Sequence, residues 1–253
     1  MKKMHMTLIS FLACLFGLVA QVQAQDRMQE NSPVDVRPIL HGSVVLAWAG
    51  STIYADPYGG AQAYADQPGP DIVLISHTHD DHMDLETLPA VVSRDTVLIV
   101  PQSVMNELPA DLAARARIVG NNEQIEEQGF TITGFPMYNM PGQGREVRHQ
   151  PGVGNGYIIE RDGYRVYIAG DTADTPDMRA LRDIDMAFIP MNLPYTMSID
   201  RAADAVVEFA PRRIYPYHYR GENGLADVEG FRAMVEANSS DIEVILLDWY
   251  PDR

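Results

Sequence analysis

The chain has 253 residues, of which 46% are hydrophobic and 21% are charged. This composition excludes a disordered or collagen-like chain, and the length suits one large domain or two small ones. Acidic residues outnumber lysine and arginine by 35 to 19, so the formal net charge is −16. That balance argues against nucleic acid and anionic lipid as main partners, because both are bound by clustered lysine and arginine.

The first 24 residues have the pattern of a secretory signal. Lys2 and Lys3 form a basic start, residues 6–20 are almost wholly apolar, and residues 22–24 supply small side chains for a signal peptidase. The apolar run is shorter than the roughly 20 residues that a transmembrane helix needs. We therefore expect cleavage after Ala24, export to the periplasm or beyond, and no stable membrane anchor in the mature protein.

Cleavage would also change the chemistry that is available to the chain. Both lysines would leave and no acidic residue would, so the net charge would move from −16 to −18. Cys14, the only cysteine, would leave as well; it could mark a lipoprotein signal, but the apolar stretch before it is short. Without cysteine, a stable metal site must be built from histidine and carboxylate.

The remaining residues predict a polar leader at 25–36 and a single domain over 37–253. Short apolar runs of strand length, bounded by Gly, Pro, Asp or Asn, recur through that domain. They predict strands at 43–48, 52–55, 71–75, 96–100, 130–134, 157–160, 165–169, 186–189, 213–217 and 243–247. Between two of these runs, Arg161-Asp162-Gly163 is a hairpin turn signal.

Helical periodicity is clearest over residues 199–210, where Ile199, Ala203 and Val206 fall on one face. Further helices are predicted at 228–236, 85–92 and 111–117. Strands dominate each half of the domain, and helices come late in each half. This order predicts an α/β fold with two sheets packed together and helices outside.

The densest group of chemically active residues is His77-Thr78-His79-Asp80-Asp81-His82. It follows the predicted strand at 71–75, which would deliver it to the carboxyl end of a sheet. Imidazole and carboxylate are the ligands that zinc prefers after thiolate, and burying so many of them without a cation would be costly. The segment therefore predicts a metal site rather than a solvated loop with chance histidines.

Other candidate ligands lie next to predicted strands. Asp56, Asp171 and His218 each follow a strand, and His149 precedes the glycine-rich residues 151–156. Asp171 could instead only cap a helix. If the strand ends meet at one edge of the sandwich, these side chains would complete a site for two metal ions.

The pattern His77-x-His79-x-Asp81-His82 resembles the signature of the metallo-β-lactamase fold superfamily. Asp56, His149, Asp171 and His218 match its other motifs in order, so the resemblance covers roughly residues 37–250. Within the superfamily, Leu40-His41-Gly42-Ser43 and Ala55-Asp56-Pro57 look most like the ascorbate-6-phosphate lactonase-like group. The resemblance implies a four-layer αββα sandwich of two mixed sheets flanked by helices.

The resemblance also implies a ligand set. One Zn²⁺ would be held by His77, His79 and His149, and the other by Asp81, His82 and His218, with Asp171 bridging both. Mn²⁺ and Fe²⁺ stay open as the native metal. Asp56 would support the histidine loop rather than bind metal.

The activity implied in this way is that of an exported dinuclear-zinc hydrolase acting on a small ester, lactone or phosphodiester. Two dications lower the pKa of water from about 15.7 to about 7, so a metal-bridging hydroxide could attack a carbonyl or phosphoryl centre. The ions would also stabilise the developing oxyanion. Either Asp81 or Asp171 would hold the proton of the hydroxide.

Four residues are candidates for contact with a small-molecule substrate: His41, Tyr195, Tyr219 and Arg220. His41 either polarises a substrate oxygen or serves as a structural imidazole at a strand start. Arg220 could pair with a carboxylate or phosphate. Ordinary packing or a surface salt bridge is the alternative for Tyr195 and Arg220.

Other functions stay open at this point. A mononuclear-iron sulfur dioxygenase would use His77, His149 and Asp171, and a non-catalytic metal-binding protein would carry the ligands without turnover. A β-lactamase is disfavoured because residues 40–43 and 192–197 point to another branch. Flavin-linked diiron relatives are disfavoured because they carry glutamate at the position of His79.

Overall fold

The structure is a computed structural model that describes residues 32–140 and 147–251. The predicted signal at 1–24 and most of the predicted leader lie outside the described residues, so cleavage and export stay predictions. Val36–Arg253 forms one compact unit, which contains every strand and helix discussed below except the first two residues of β1. Of the other unit, Met1–Asp35, only residues 32–35 are described.

The first half of the domain forms a six-stranded sheet in the order β1 to β6. Its strands are β1 (Val34–Pro38), β2 (Val44–Trp48), β3 (Ser51–Ala55), β4 (Ile72–Leu74), β5 (Val97–Val100) and β6 (Ala116–Ile118). β2 and β3 pair antiparallel, and β3 to β6 pair parallel. All three residues of β4 are buried, as its uninterrupted Ile-Val-Leu sequence requires of a strand covered on both faces.

The second half forms a seven-stranded sheet and a small separate hairpin. The elements are β7 (Gln124–Glu127), β8 (Phe130–Met137), β9 (Gly154–Arg161), β10 (Tyr164–Ile168), β11 (Met186–Pro190), β12 (Arg213–Tyr217), β13 (Arg220–Gly221), β14 (Gly224–Leu225) and β15 (Glu243–Val244). The sheet order is β15-β12-β11-β10-β9-β8-β7, and β13 pairs with β14. β7 to β10 pair antiparallel, whereas β10, β11, β12 and β15 pair parallel.

Helices flank the two sheets and confirm the predicted sandwich. They are α1 (Thr87–Val91), α2 (Gln102–Glu107), α3 (Ala110–Ala113), α4 (Pro176–Arg179), α5 (Ile199–Phe209) and α6 (Val228–Asn238), with a 3₁₀ turn at Ala61–Tyr64. α5 packs against α4 and α6. No helix within the described ranges combines the length and the apolar character that crossing a membrane requires.

Hydrogen bonds across the interior join the second sheet to the end of β4. The buried Tyr157 hydroxyl donates to the Ile75 carbonyl at 2.7 Å. The Asn155 amide donates to the Ser76 carbonyl at 2.9 Å, and its side chain donates to the Val119 carbonyl at 2.8 Å. The bonds to Ile75 and Ser76 fix the backbone immediately before His77, where the histidine segment leaves the sheet.

Most predicted elements are present, with shifted ends. The hairpin signal is confirmed: Asp162 and Gly163 connect β9 to β10 with φ values of 52° and 79°. Both positive angles suit a two-residue turn that follows the twist of its strands. The helix predicted at 199–210 is α5, and the one predicted at 228–236 is α6, which continues to Asn238.

Several errors fall at edges of the sheets, and the short helices α2 and α4 were not predicted. The helix predicted at 111–117 is wrong beyond Ala113, because Ala116–Ile118 pairs with β5 as β6. The leader predicted at 25–36 is wrong at its end, because the strand Val34–Pro38 begins inside it with Val34 and Val36 buried. β7 was not predicted, since its Gln-Ile-Glu-Glu sequence lacks an apolar run.

Trp249 links the two sheets and supplies a test of the packing. Its buried indole donates to the Ser43 carbonyl at 3.0 Å and packs against Phe188 and Tyr217. We expect Trp249→Ala to lower the free energy of unfolding by about 3–5 kcal/mol through the cavity it leaves. Trp249→Phe keeps most of the packing and should cost about 1 kcal/mol, because the Ser43 carbonyl loses the indole donor but keeps the Ile39 amide at 3.2 Å.

Urea unfolding measures both changes. Leu85→Ala is the control, because Leu85 is 44% exposed and its loss should change stability by about 0.5 kcal/mol or less. Equal losses for the Phe and Ala variants of Trp249 would contradict the assignment of most of the energy to packing.

Candidate metal centre

Four strand ends and one connection place the candidate ligands at one edge of the sandwich. Asp56 follows β3 and residues 77–82 follow β4, while Asp171 follows β10 and His218 follows β12. His149 lies in the connection from β8 to β9. Because the ends of parallel strands meet at one edge, the two sheets bring these groups together.

His77, His79 and His149 form a first cluster. The His77 Nε2 and His79 Nδ1 atoms are 3.0 Å apart, and His79 Nδ1 is 3.3 Å from His149 Nε2. His77 and His149 are buried, whereas His79 is exposed to the cleft. Three ring nitrogens therefore face one point from two different sheets.

Asp81, His82 and His218 form a second cluster. The Nε2 atoms of His82 and His218 are 3.2 Å apart. An oxygen of Asp81 lies 3.3 Å from His218 Nε2 and 3.8 Å from His82 Nε2. This cluster again combines the loop after β4 with a residue of the second sheet.

Asp171 lies between the two clusters. Its Oδ1 is 3.4 Å from His218 Nε2 and 3.5 Å from His82 Nε2, and its Oδ2 is 3.7 Å from His149 Nε2. Oδ1 is buried and has no hydrogen-bond partner in the part of the chain that the structure describes. A buried acceptor left in this way costs about 1–3 kcal/mol or more, so the site calls for a further positive group.

The pKa shifts of the site also indicate that positive charge is favoured there. Burial lowers the pKa of His77 well below its usual range and that of His149 to about 4, so both rings are neutral at neutral pH. Although burial opposes ionisation of Asp171, the neighbouring His218 and His82 hold its pKa well below the usual range. Although burial lowers the pKa of His82, the carboxylates of Asp171 and Asp56 raise it well above the usual value. The ionised carboxylates thus stabilise positive charge within a buried site.

The spacing of the ring nitrogens fits a metal ion. Two nitrogens on a tetrahedral zinc lie about 3.3 Å apart, given Zn–N bonds of about 2.0–2.1 Å. The nitrogens that face each other here are 3.0–3.3 Å apart, which is the spacing of two ligands on one such ion. The donor set of five imidazoles and two carboxylates therefore fits divalent cations.

Asp56 holds the histidine loop from behind. Its carboxylate accepts from the Ser76 amide at 2.7 Å and the Ser76 hydroxyl at 2.6 Å, and it lies 2.7 Å from His82 Nδ1. Because a carboxylate only accepts, the neutral form of His82 that metal binding requires would carry its proton on Nδ1 and turn the Nε2 lone pair to the cluster. Ser76 Oγ also lies 2.9 Å from His77 Nδ1, which fixes a second ligand.

Two supporting residues, Asn139 and Ser76, were missed in the sequence. Asn139 Oδ1 accepts from the His149 amide at 3.0 Å and lies 3.1 Å from His149 Nδ1, which leaves Nε2 free to bind. Asn139 follows β8, but the strand was predicted to end at residue 134 rather than at Met137. A correct strand end would have marked Asn139 as a residue of the site edge.

A cleft of about 620 Å³ opens over the clusters. Three of the predicted substrate contacts line it, namely His41, Tyr195 and Arg220. Burial, with His218 adding to it, lowers the pKa of His41 to about 4. Arg148, Asn192 and Glu222 also line the cleft, and of these only Asn192 lies in a segment that the sequence analysis singled out, residues 192–197.

The structure corrects the prediction for Tyr219. Its ring is buried against Tyr250, and the Trp249 amide donates to its hydroxyl at 3.4 Å. His218 and Arg220 both line the cleft, whereas the Tyr219 side chain between them is buried in the interior.

The chain matches a family model described as the beta-lactamase superfamily domain over residues 36–218. A UPF0173 metal-dependent hydrolase of Thermococcus onnurineus is 29% identical over 223 residues, covering 85% of this chain and 96% of its own. A structure from Parabacteroides distasonis, assigned as a metal-dependent hydrolase, is 34% identical with a TM-score of 0.73 and covers 84% of this chain and 92% of that one. CmlA, a diiron β-hydroxylase from Streptomyces venezuelae, shares the fold at 19% identity and a TM-score of 0.65, covering 85% of this chain and 53% of that one.

The support that Asp56 gives to the ligands can be tested by metal affinity. We expect Asp56→Asn to weaken zinc binding about 10–100-fold, because an amide cannot replace the carboxylate that orients His82 and Ser76. Competition with a chromophoric chelator measures the affinity. Asp80→Asn is the matched control, since Asp80 lies in the same loop and is exposed. An affinity unchanged in Asp56→Asn, or lowered equally in both variants, would contradict the role.

Proposed function

Because the chain belongs to the metallo-β-lactamase superfamily of metal-dependent hydrolases, we propose that it binds two zinc ions and hydrolyses a small ester, lactone or phosphodiester. The observation that carries the proposal is the position of Asp171, which turns one carboxylate oxygen to each histidine cluster. Mn²⁺ or Fe²⁺ would fit the same donors. We further propose that the protein acts outside the cytoplasm, on the basis of the signal pattern in residues 1–24.

When bound, such ions lower the pKa of water to about 7 and stabilise an oxyanion. The chain itself must orient the water and take its proton. We assign the proton to Asp81, because its side chain is 38% exposed on the cleft whereas that of Asp171 is 5% exposed. Asp171 then serves to hold the two clusters at a fixed separation.

The rim of the cleft favours a substrate with an anionic substituent. The Arg220 guanidinium lies 4.2 Å from the centre of the Tyr250 ring, and that of Arg148 lies 4.9 Å from the centre of the Tyr195 ring. Within residues 32–140 and 147–251, neither guanidinium has a carboxylate partner. Stacking pre-orients an arginine without neutralising it, so both can bind a carboxylate or phosphate.

Tyr195 has a different part in this proposal. Its hydroxyl lies 3.1 Å from a carboxylate oxygen of Glu222, at the turn between β13 and β14. The Glu222 amide also donates to the Leu193 carbonyl at 3.1 Å. Tyr195 thus ties the loop after β11 to the small hairpin that carries Arg220, which gives the rim its shape.

A second candidate is iron-dependent redox chemistry, since CmlA shows that a protein with this fold can be a diiron β-hydroxylase. A mononuclear-iron dioxygenase using His77, His149 and Asp171 would leave the cluster of Asp81, His82 and His218 without a purpose. The presence of that second cluster favours a two-metal hydrolase over the mononuclear dioxygenase. Metal analysis that found one iron per chain, together with oxygen uptake, would favour the dioxygenase.

Removal of the ligands tests the proposed function directly. We expect about two zinc ions per chain in the native protein, a loss of zinc in His79→Ala and Asp171→Ala, and at least about a 100-fold lower turnover in both. Elemental analysis and a panel of esters, lactones and phosphodiesters are the measurements. Chelation should abolish turnover, and added zinc should restore it. Turnover by the metal-free protein would refute the proposal.

Arginine recognition is tested with a pair of esters that differ only in a distal carboxylate. Arg220→Gln should raise KM for the charged ester about tenfold, equivalent to about 1.4 kcal/mol, and leave the neutral ester nearly unchanged. Arg94→Gln is the control, because Arg94 is exposed and does not line the cleft. Equal effects of Arg220→Gln on both esters would exclude a charge contact.

A further inference from the structure

His41 occupies a constrained position beside the second cluster. It has a left-handed backbone with φ of 51°, and its carbonyl accepts from the His218 amide at 3.0 Å. Its ring is enclosed by Tyr58, His218 and Tyr250, whose ring centres lie 5.3–5.4 Å away. Packing on three sides leaves the imidazole little freedom to rotate.

The two nitrogens of His41 have different surroundings. Nδ1 lies 3.1 Å from the Tyr250 hydroxyl. Nε2 has no hydrogen-bond partner among the described residues and is not one of the buried unpartnered atoms. Since His41 lines the cleft together with Asp81 and Asp171, Nε2 is the atom available to a bound molecule.

The chemistry of the Tyr250 contact determines where the proton of a neutral His41 lies. A phenol hydroxyl is the better donor of this pair, and a bare imidazole nitrogen is the better acceptor. The Arg220 amide donates to the same Tyr250 oxygen at 3.2 Å, which polarises the hydroxyl and strengthens it as a donor. Tyr250 therefore donates to Nδ1, and Nε2 keeps the ring proton.

We propose that Tyr250 holds His41 as the Nε2-protonated tautomer, and that this N–H donates a hydrogen bond to the substrate oxygen that gains negative charge. His41 would then be a catalytic residue that keeps its proton throughout, and Tyr250 a positioning residue. The inference rests on the proposed hydrolase function for its substrate, but the tautomer itself does not depend on that function.

Two substitutions of His41 separate a donor from a general base. Glutamine carries an amide N–H near the position of Nε2, whereas leucine fills similar space without a donor. His41→Leu should lose about 10²–10³-fold in kcat, as removal of one oxyanion donor does. His41→Gln should lose less than about tenfold, with little change in KM. Equal losses in both variants would overturn the inference, because glutamine cannot act as a base.

The tautomer is read directly by ¹⁵N NMR of the zinc-loaded protein with labelled histidine rings. We expect His41, identified by the signals lost in His41→Gln, to show a protonated Nε2 and an unprotonated Nδ1. Tyr250→Phe should shift the Nδ1 signal and lower kcat while zinc content stays at the native value. Rings that remain unchanged in Tyr250→Phe, or a protonated Nδ1 in the native protein, would overturn the inference.

The results that would overturn the role of His41 differ from those that would refute the proposed hydrolase function. Absence of turnover by the native protein on every ester, lactone and phosphodiester would count against the hydrolase, whatever the NMR spectrum. A protonated Nδ1 in an active enzyme would overturn only the role of His41. Zinc content measured for each variant shows whether a loss of kcat reflects the ligands instead.

Discussion

The burial of charge between two sheets is the constraint on which the structure depends. Asp171 is nearly inaccessible, and one of its oxygens finds no donor in the described chain. Around it, imidazole rings turn their Nε2 atoms inward, held in that orientation by Asp56 and Asn139. Burying these groups without a cation would be unfavourable, and a bound divalent cation would stabilise the arrangement. The strand ends carry the ligands of such a cation, the residues behind the loop orient those ligands, and the cleft leaves the site open to a substrate.

The parts of this site that could be predicted share one property, which is that their signal is local. Three imidazoles and two carboxylates within six residues, directly after an apolar strand, indicate metal binding by themselves. The superfamily and the sandwich are both confirmed. Asp171 and His218 could be suggested because each follows a strand, although only the fold brings them beside the loop at 77–82.

The parts that could not be predicted depend on contacts between distant positions. Asn139 supports His149 across a connection, and Tyr250 contacts His41 from 209 positions away along the chain. Neither residue carries a pattern in its own neighbourhood. Edge strands such as β6 and β7 were missed for a related reason, because a strand with exposed faces has no apolar run to mark it. Tyr219 shows the opposite error, in which proximity in sequence to a ligand was taken as proximity to the cleft.

Each histidine cluster takes two residues from the loop after β4 and one from the second sheet. A cation at either cluster would therefore crosslink one half of the domain to the other. Occupancy would add to the cohesion of the whole domain by mass action, since the unfolded chain offers no such cage. Neither half could evolve its ligands independently, because a change in one half would leave incomplete coordination in the other. A substitution that weakened metal binding would then lower both the stability of the domain and its activity.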